Sequence, residues 1–261
     1  MKPFRFGINA RDAGSRAEWQ DKARRVEGLG YSALMVPDHL AAMLAPIPAA
    51  VSAAAATKSL RVGTNVLNND FRHPVLVARE AATADLLSDG RFELGLGAGH
   101  MRSENDQAGL PFERGGVRLE RLAEAVAIIK GLLGGAEVTF VGQHYRVTGH
   151  TIHPGPVQRP YPPIIIGGNG PRLLTLAAKE ADTVNFTGIT FARGGTEHDM
   201  SAWKQLSVEE ILEAPFVLLG TVDEMVEALQ ARRDRWGISF FVTFEQYLET
   251  LAPVVARLAG K

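Results

Sequence analysis

The chain reads as an α/β protein whose parallel strands curl into one barrel. Three observations lead to that reading. Short apolar runs rich in branched residues alternate with amphipathic helical windows along the whole length, and that succession means parallel strands joined by crossover helices. The run Ile164-Ile165-Ile166 is apolar on both faces, which suits a strand covered on both sides. No linker, charge block, low-complexity tract or short-period repeat divides residues 1–261, so they read as a single domain with a hairpin insertion at about 137–152. A doubly wound open sheet is the second choice, since periodicity alone separates the two poorly.

Phe4-Arg5-Phe6-Gly7-Ile8-Asn9 is the first strand. Ser15 and Glu18 have the spacing of a capping box, in which hydroxyl and carboxylate satisfy the free amides of a new helix. Trp19, Ala23, Val26 and Leu29 follow at helical spacing, and Gly30 ends the helix. Ala33 to Val36 is the second strand, stopped by Pro37, and Pro46 to Thr57 is an alanine-rich helix. Arg61 to Val66 is the third strand. Pro74, suited to the first helical position, starts a helix that ends at Ser88-Asp89-Gly90. Phe92 to Gly97 is the fourth strand. Leu119, Leu122, Val126, Ile129 and Leu133 make one apolar helical stripe, stopped by Gly134-Gly135. Residues 138–148 pattern as a hairpin with Gly142-Gln143 near its turn. Ile164 to Ile166 is the fifth strand, Gly170-Pro171 starts a helix, and Asp182 to Phe186 is the sixth strand, followed by a polar loop to Asp199. Thr221 and Glu224 form a second capping box, whose helix runs to Gly237. Ile238 to Phe244 is the last strand, and Gln246 to Leu258 the last helix, bent at Pro253.

Composition narrows the chemistry. Lys+Arg at 28 against Asp+Glu at 29 leave a formal net charge of −1, without the basic excess of a nucleic-acid binder. With no cysteine, disulfides, thiolate metal sites, iron–sulfur clusters and cysteine nucleophiles are excluded. The first residues enter a strand at once, and no apolar stretch reaches the roughly 18 residues of a membrane span, so a soluble, cytoplasmic protein is expected. No two histidines have metalloprotease spacing, and there is no P-loop or Gly-x-Ser-x-Gly elbow, so no catalytic metal is expected.

Ligands of parallel α/β folds bind at the C-terminal ends of the strands, so the polar residues just after each strand are the candidates. They are Asp38 and His39 after the second strand, Asn65, Asn68, Asn69 and Asp70 after the third, and His100, Arg102, Ser103 and Glu104 after the fourth. Gly167-Gly168-Asn169-Gly170 follows the fifth, and Asn185 and Thr187 follow the sixth. The glycine run leaves a buried strand and enters a helix, and bare amides at a helix N-terminus suit a phosphate. Its other reading is a tight turn that needs glycine for its backbone. Gly95 to Gly99 looks like a dinucleotide loop, but His100 stands at the third fingerprint position and no well-placed acid follows, so close approach to a flat ring is preferred. His39 either shuttles a proton near neutral pH or merely hydrogen-bonds a neighbouring carbonyl. His73, before Pro74, reads as a local cap.

Five motifs occur in register: Val36-Pro37-Asp38-His39, Arg61 to Val66, Gly90 to Gly99, Pro163 to Gly168, and Gly220-Thr221-Val222-Asp223-Glu224. On these the chain resembles the bacterial luciferase-like monooxygenase superfamily over residues 4–190 and 207–259, and within it the coenzyme F420-dependent oxidoreductases of actinobacteria. The resemblance implies a luciferase-like TIM-type barrel with a deazaflavin ring at its C-terminal mouth. It further implies a cis peptide at Asn65–Val66 behind the ring and the cofactor phosphate on Gly167, Gly168 and Gly170. The implied activity is hydride transfer between F420 and a small organic substrate, with His39 handling the proton. The catalytic candidates are then His39, Asp38 and Glu104. The cofactor-binding candidates are Asn65, Val66, Gly97, Gly99, His100, Gly167, Gly168, Asn169 and Gly170. Two alternatives stand beside this: an FMN-dependent monooxygenase, and a non-catalytic flavin- or deazaflavin-binding protein.

The chain also departs from the pattern. Relatives carry about one βα unit and a further helix, roughly 50 residues, where the stretch between 199 and 208 bridges directly here. Seven barrel strands are expected rather than eight, with Phe216 to Leu219 as a spare candidate. Such a barrel is unclosed, and a homodimer or higher oligomer would cover its strand edges.

Overall fold

The computed structural model describes residues 1–186, 190–191, 198–199, 207, 210 and 213–261. In chain order the elements are β1 (Arg5–Asn9), α1 (Arg16–Gly28), β2 (Ala33–Val36), α2 (Pro46–Ala55), β3 (Arg61–Thr64), β4 (Leu67–Asn68), α3 (Pro74–Leu87), β5 (Phe92–Gly97), α4 (Arg102–Ala108) and α5 (Gly115–Leu133). There follow β6 (Val138–Val141), β7 (Arg146–His150), β8 (Ile164–Gly167), α6 (Pro171–Glu180), β9 (Thr183–Asn185), β10 (Thr190–Phe191), β11 (His198–Asp199), α7 (Val222–Trp236), β12 (Phe240–Phe244) and α8 (Leu248–Leu258).

The main sheet is parallel throughout and runs in the order β12-β1-β2-β3-β5-β8-β9, with β4 pairing β5. It curls as a barrel does, and both faces are covered. Leu34 and Val36 face outward into the core beneath the helices, while Ala33 and Met35 join Ile165, Phe240 and Val242 inside. That two-sided burial is why these strands read as unbroken apolar runs. The path carries the seven barrel strands expected, and among the described residues no strand joins β9 to β12. Residues 200–206, expected to bridge that gap, lie outside the described residues. Phe216 opens no strand: Val217 N–H bonds Ala214 O at 3.1 Å in a turn, and the chain runs on as a connection to α7.

Local signals explain most boundaries. Ser15 Oγ accepts from Glu18 N–H at 3.2 Å, but the Glu18 carboxylate turns to Gly14 N–H at 2.8 Å, so the reciprocal arm of that capping box sits one residue early. At Thr221 both arms are made. His73 caps α3 through Nδ1, which accepts from Val75 N–H at 3.3 Å. The strand expected over 61–66 stops at Thr64. The Asn65–Val66 peptide is cis, as the resemblance implied, and pairing resumes at Leu67 opposite Leu96. Helix α4 was not foreseen: Arg102-Ser103-Glu104-Asn105-Asp106-Gln107 is wholly polar and shows no apolar period. Among the described residues no helix is long and apolar enough to cross a membrane.

Ion pairs and hydrogen bonds tie the N-terminal ends of the strands. Glu93 on β5, 1% exposed, accepts from Arg5 at 2.6 Å and from Arg61. Asp85 on α3 is fully buried and accepts the N–H groups of Val157 at 2.7 Å and Gln158 at 2.9 Å, and Gln158 Nε2 at 2.6 Å. One carboxylate thus pins the proline-rich approach to β8.

Glu27 does the same at the start of β3. Burial alone would raise its carboxyl, but the N–H groups of Ser59, Leu60 and Lys58 and the Ser59 hydroxyl hold it below its ordinary value. A carboxylate depressed by folding adds stability above its unfolded value, and loses it as pH falls through the folded one. Glu27→Gln is therefore expected to lose less stability than the parent between about pH 5 and pH 3. Urea titrations at each pH check this; parallel curves would show that Glu27 contributes nothing.

Candidate functional site

The C-terminal ends of the strands open into a cavity of about 1990 Å³ that continues along the barrel interior. The residues expected to act in catalysis or cofactor binding line it: Asp38 and His39 after β2, Asn65 and Val66 after β3, Gly97, Gly99, His100 and Glu104 after β5, and Gly167 to Gly170 after β8. Of the other strand-end candidates, Asn68 and Asn185 line it, Asn69, Asp70, Arg102 and Ser103 do not, and Thr187 lies outside the described residues. Their arrangement separates them into groups with different tasks.

His39 and Glu104 form a pair. Nδ1 lies 2.9 Å from Oε1 and 3.2 Å from Oε2, and Glu104 is buried at 6% exposure on α4. An ionised carboxylate there selects the tautomer with hydrogen on Nδ1, which leaves Nε2 as the acceptor. The His100 ring meets His39 edge-on, with centroids 5.2 Å apart.

Asp38 faces the protein. Its Oδ2 accepts from Asn68 N–H at 3.0 Å, and Arg72 reaches both oxygens, at 2.5 and 3.1 Å. With its oxygens so engaged, the carboxylate ties the strand end to the loop before α3. The other polar residues after β3 also serve that loop. Asn68 Oδ1 accepts from Asp70 N–H at 3.0 Å, Asn69 donates to Tyr145 OH at 3.2 Å, and Asp70 pairs with Arg121 at 2.8 Å.

The glycines make room chiefly for protein atoms. A Cβ on Gly97 would stand 2.6 Å from Val66 Cγ2, and one on Gly167 would stand 2.9 Å from Val66 Cγ1. Gly168 is crowded by Leu173 Cδ1 at 2.7 Å, and its N–H already bonds Asn185 O at 3.0 Å. The expected cradle of bare amides is therefore narrower, since the Gly168 amide is engaged within the fold. Gly170 has open space and caps α6 without any side-chain bond, which leaves amides of the first turn for an anion.

Sequence reasoning missed two contributors. Arg118 on α5 donates to Ala98 O at 3.1 Å and to Gly99 O, stacks on Phe112 at 4.1 Å, and so braces the loop after β5. Burial, with Arg102 and Arg121 nearby, holds its guanidinium below the ordinary value against the pull of Asp70. Asn9 ends β1 and lines the cavity. It obeys the strand-end rule that selected the others and could have been found by it.

The site is thus a parallel α/β barrel scaffold with a histidine–carboxylate pair and an uncapped helix start at one mouth. Residues 2–222 match the luciferase-like monooxygenase family, and the chain belongs to it. Over 189 residues it is 34% identical to the F420-dependent glucose-6-phosphate dehydrogenase of Microbacterium testaceum, a match that covers 69% of this chain and 55% of that protein. The chain thus spans about half the length of the curated relatives it matches. Its fold is similar to that of the coenzyme F420-dependent tetrahydromethanopterin reductase from Methanopyrus kandleri, with a TM-score of 0.78 at 17% identity over 99% of both chains. An F420-dependent secondary alcohol dehydrogenase in complex with an F420–acetone adduct is similar at a TM-score of 0.76 and 18% identity, over 97% of this chain and 98% of that one.

Proposed function

We propose that this chain is an oxidoreductase that binds coenzyme F420 at the barrel mouth and transfers hydride between it and a small organic substrate bearing a hydroxyl or carbonyl group. The observation that carries the reading is the His39–Glu104 pair on the wall of the same cavity as the uncapped start of α6. F420-dependent dehydrogenases among the relatives support it.

The residues fit such a cofactor. The amides that open α6 beyond Gly170 would hold its phosphate, and Val66, backed by Gly97 and Gly167, would support its ring. When bound, a deazaflavin supplies the two-electron acceptor or donor for a hydride. His39 takes the proton of the substrate hydroxyl at Nε2 when hydride leaves the carbinol carbon, and returns it in the reverse direction. Glu104 keeps hydrogen on Nδ1 and stabilises the imidazolium that forms. Asp38 and Arg72 hold the strand end that carries His39. Association into a homodimer or higher oligomer belongs to the same reading, because β9 and β12 end the sheet among the described residues.

Among the described residues no strand joins β9 to β12, and this favours one second reading, a non-catalytic cofactor-binding protein. Titration of the purified protein with F420 and with FMN, followed by cofactor fluorescence, separates the cases when glucose 6-phosphate and simple secondary alcohols are then supplied. F420 binding with turnover supports the proposal. F420 binding without turnover favours the binding protein, preferred FMN binding favours the monooxygenase, and binding of neither removes the assignment.

A further inference from the structure

Three carboxamides form a chain across the barrel mouth. Asn185, ending β9, donates Nδ2–H to Asn65 Oδ1 at 2.5 Å, and Asn65 donates Nδ2–H to Asn9 Oδ1 at 3.1 Å. The Asn65 backbone is held too, its N–H donating to Val36 O at 2.9 Å. Asn65, the expected ligand contact, therefore has its side chain engaged by protein on both sides. Asn9 is the end of the chain. Its oxygen accepts from Asn65, while its two amide N–H groups meet no acceptor among the described residues. All three side chains line the cavity that also holds His39 and Gly167.

A chain of amides has a polarity. Here every link donates toward β1, so the chain ends on a donor, and Asn65 and Asn185 fix the direction in which that donor is presented. We propose that Asn9 is the specificity-determining contact on the floor of the mouth, donating to a carbonyl oxygen of a planar ligand, with Asn65 and Asn185 acting through it as positioning residues. The inference rests on the reading above that the mouth holds a tricyclic redox cofactor, whose pyrimidinedione edge offers such oxygens.

The test is a double-mutant cycle read as F420 affinity by fluorescence titration, with the thermal midpoint of each ligand-free protein measured alongside. Asn9→Asp keeps the acceptor that Asn65 needs but replaces two donors by a carboxylate, and it is expected to weaken binding roughly tenfold or more. Asn9→Ser, too short to reach, is the second variant should the first fail to fold, with a loss of roughly three- to tenfold. Asn65→Ala is expected to weaken binding roughly three- to tenfold alone and to add nothing in the Asn9→Asp background. Wild-type affinity in a folded Asn9→Asp protein overturns the inference, as does full additivity with Asn65→Ala, which would place Asn65 itself against the ligand. A parent protein that binds neither F420 nor FMN overturns the cofactor reading and this inference together, so the two failures are told apart by the parent's own titration.

Discussion

Replacing His39 by alanine is expected to slow turnover roughly 10²–10⁴-fold while leaving F420 affinity nearly intact. The asymmetry follows from the geometry. His39 lines the cavity and engages Glu104 through Nδ1, so its loss removes the proposed proton acceptor without touching the start of α6. Glu104→Gln tests the partner. A neutral amide stabilises the imidazolium less, so kcat falls while cofactor affinity holds. Because the carboxylate acts through the imidazole, the double variant should be no slower than His39→Ala alone. Stopped-flow measurement of hydride transfer reads all three. Unchanged turnover in His39→Ala would remove the residue from the chemistry, and a further loss in the double variant would give Glu104 a separate contact with the reacting atoms.

The second large effect concerns stability. Asp85→Ala is expected to destabilise the protein by about 4 kcal/mol, because it leaves the N–H groups of Val157 and Gln158 unpaired and takes one of the two acceptors of Gln158 Nε2, beside a fully buried position. For a chain of this size that corresponds to a fall in thermal midpoint of about 10 °C. Urea unfolding followed by tryptophan fluorescence checks it. A change below about 1 kcal/mol would mean that the 157–158 segment finds other acceptors when the carboxylate is gone.

These two carboxylates show what the sequence could and could not disclose. The strand-end rule collected His39, Glu104 and the glycine run, because the topology of parallel strands forces their C-terminal ends to one mouth whatever the details. It did not disclose that His39 pairs with Glu104 across 65 residues, or that Asp38 is held by Arg72, since such partners are set by packing and leave no local period. Asp85 shares α3 with Arg79, Glu80 and Thr83, so nothing local singles it out, and its purpose shows only when residues 157–158 come against it. The β3 boundary shifted because the ladder is broken at Asn65 and Val66, and helix α4 escaped because seven residues without an apolar face carry no signal. The glycines were legible as positions of close approach, but the approaching atoms belong largely to Val66 and Leu173.

Diffraction from crystals soaked in F420 would settle where the cofactor lies. Phosphate density at the amides that open α6 beyond Gly170, with the ring against Val66 and one edge facing His39, is the predicted result. Density elsewhere on the molecule, or a ring whose reactive face lies beyond reach of any group hydrogen-bonded to His39, would contradict the proposed chemistry.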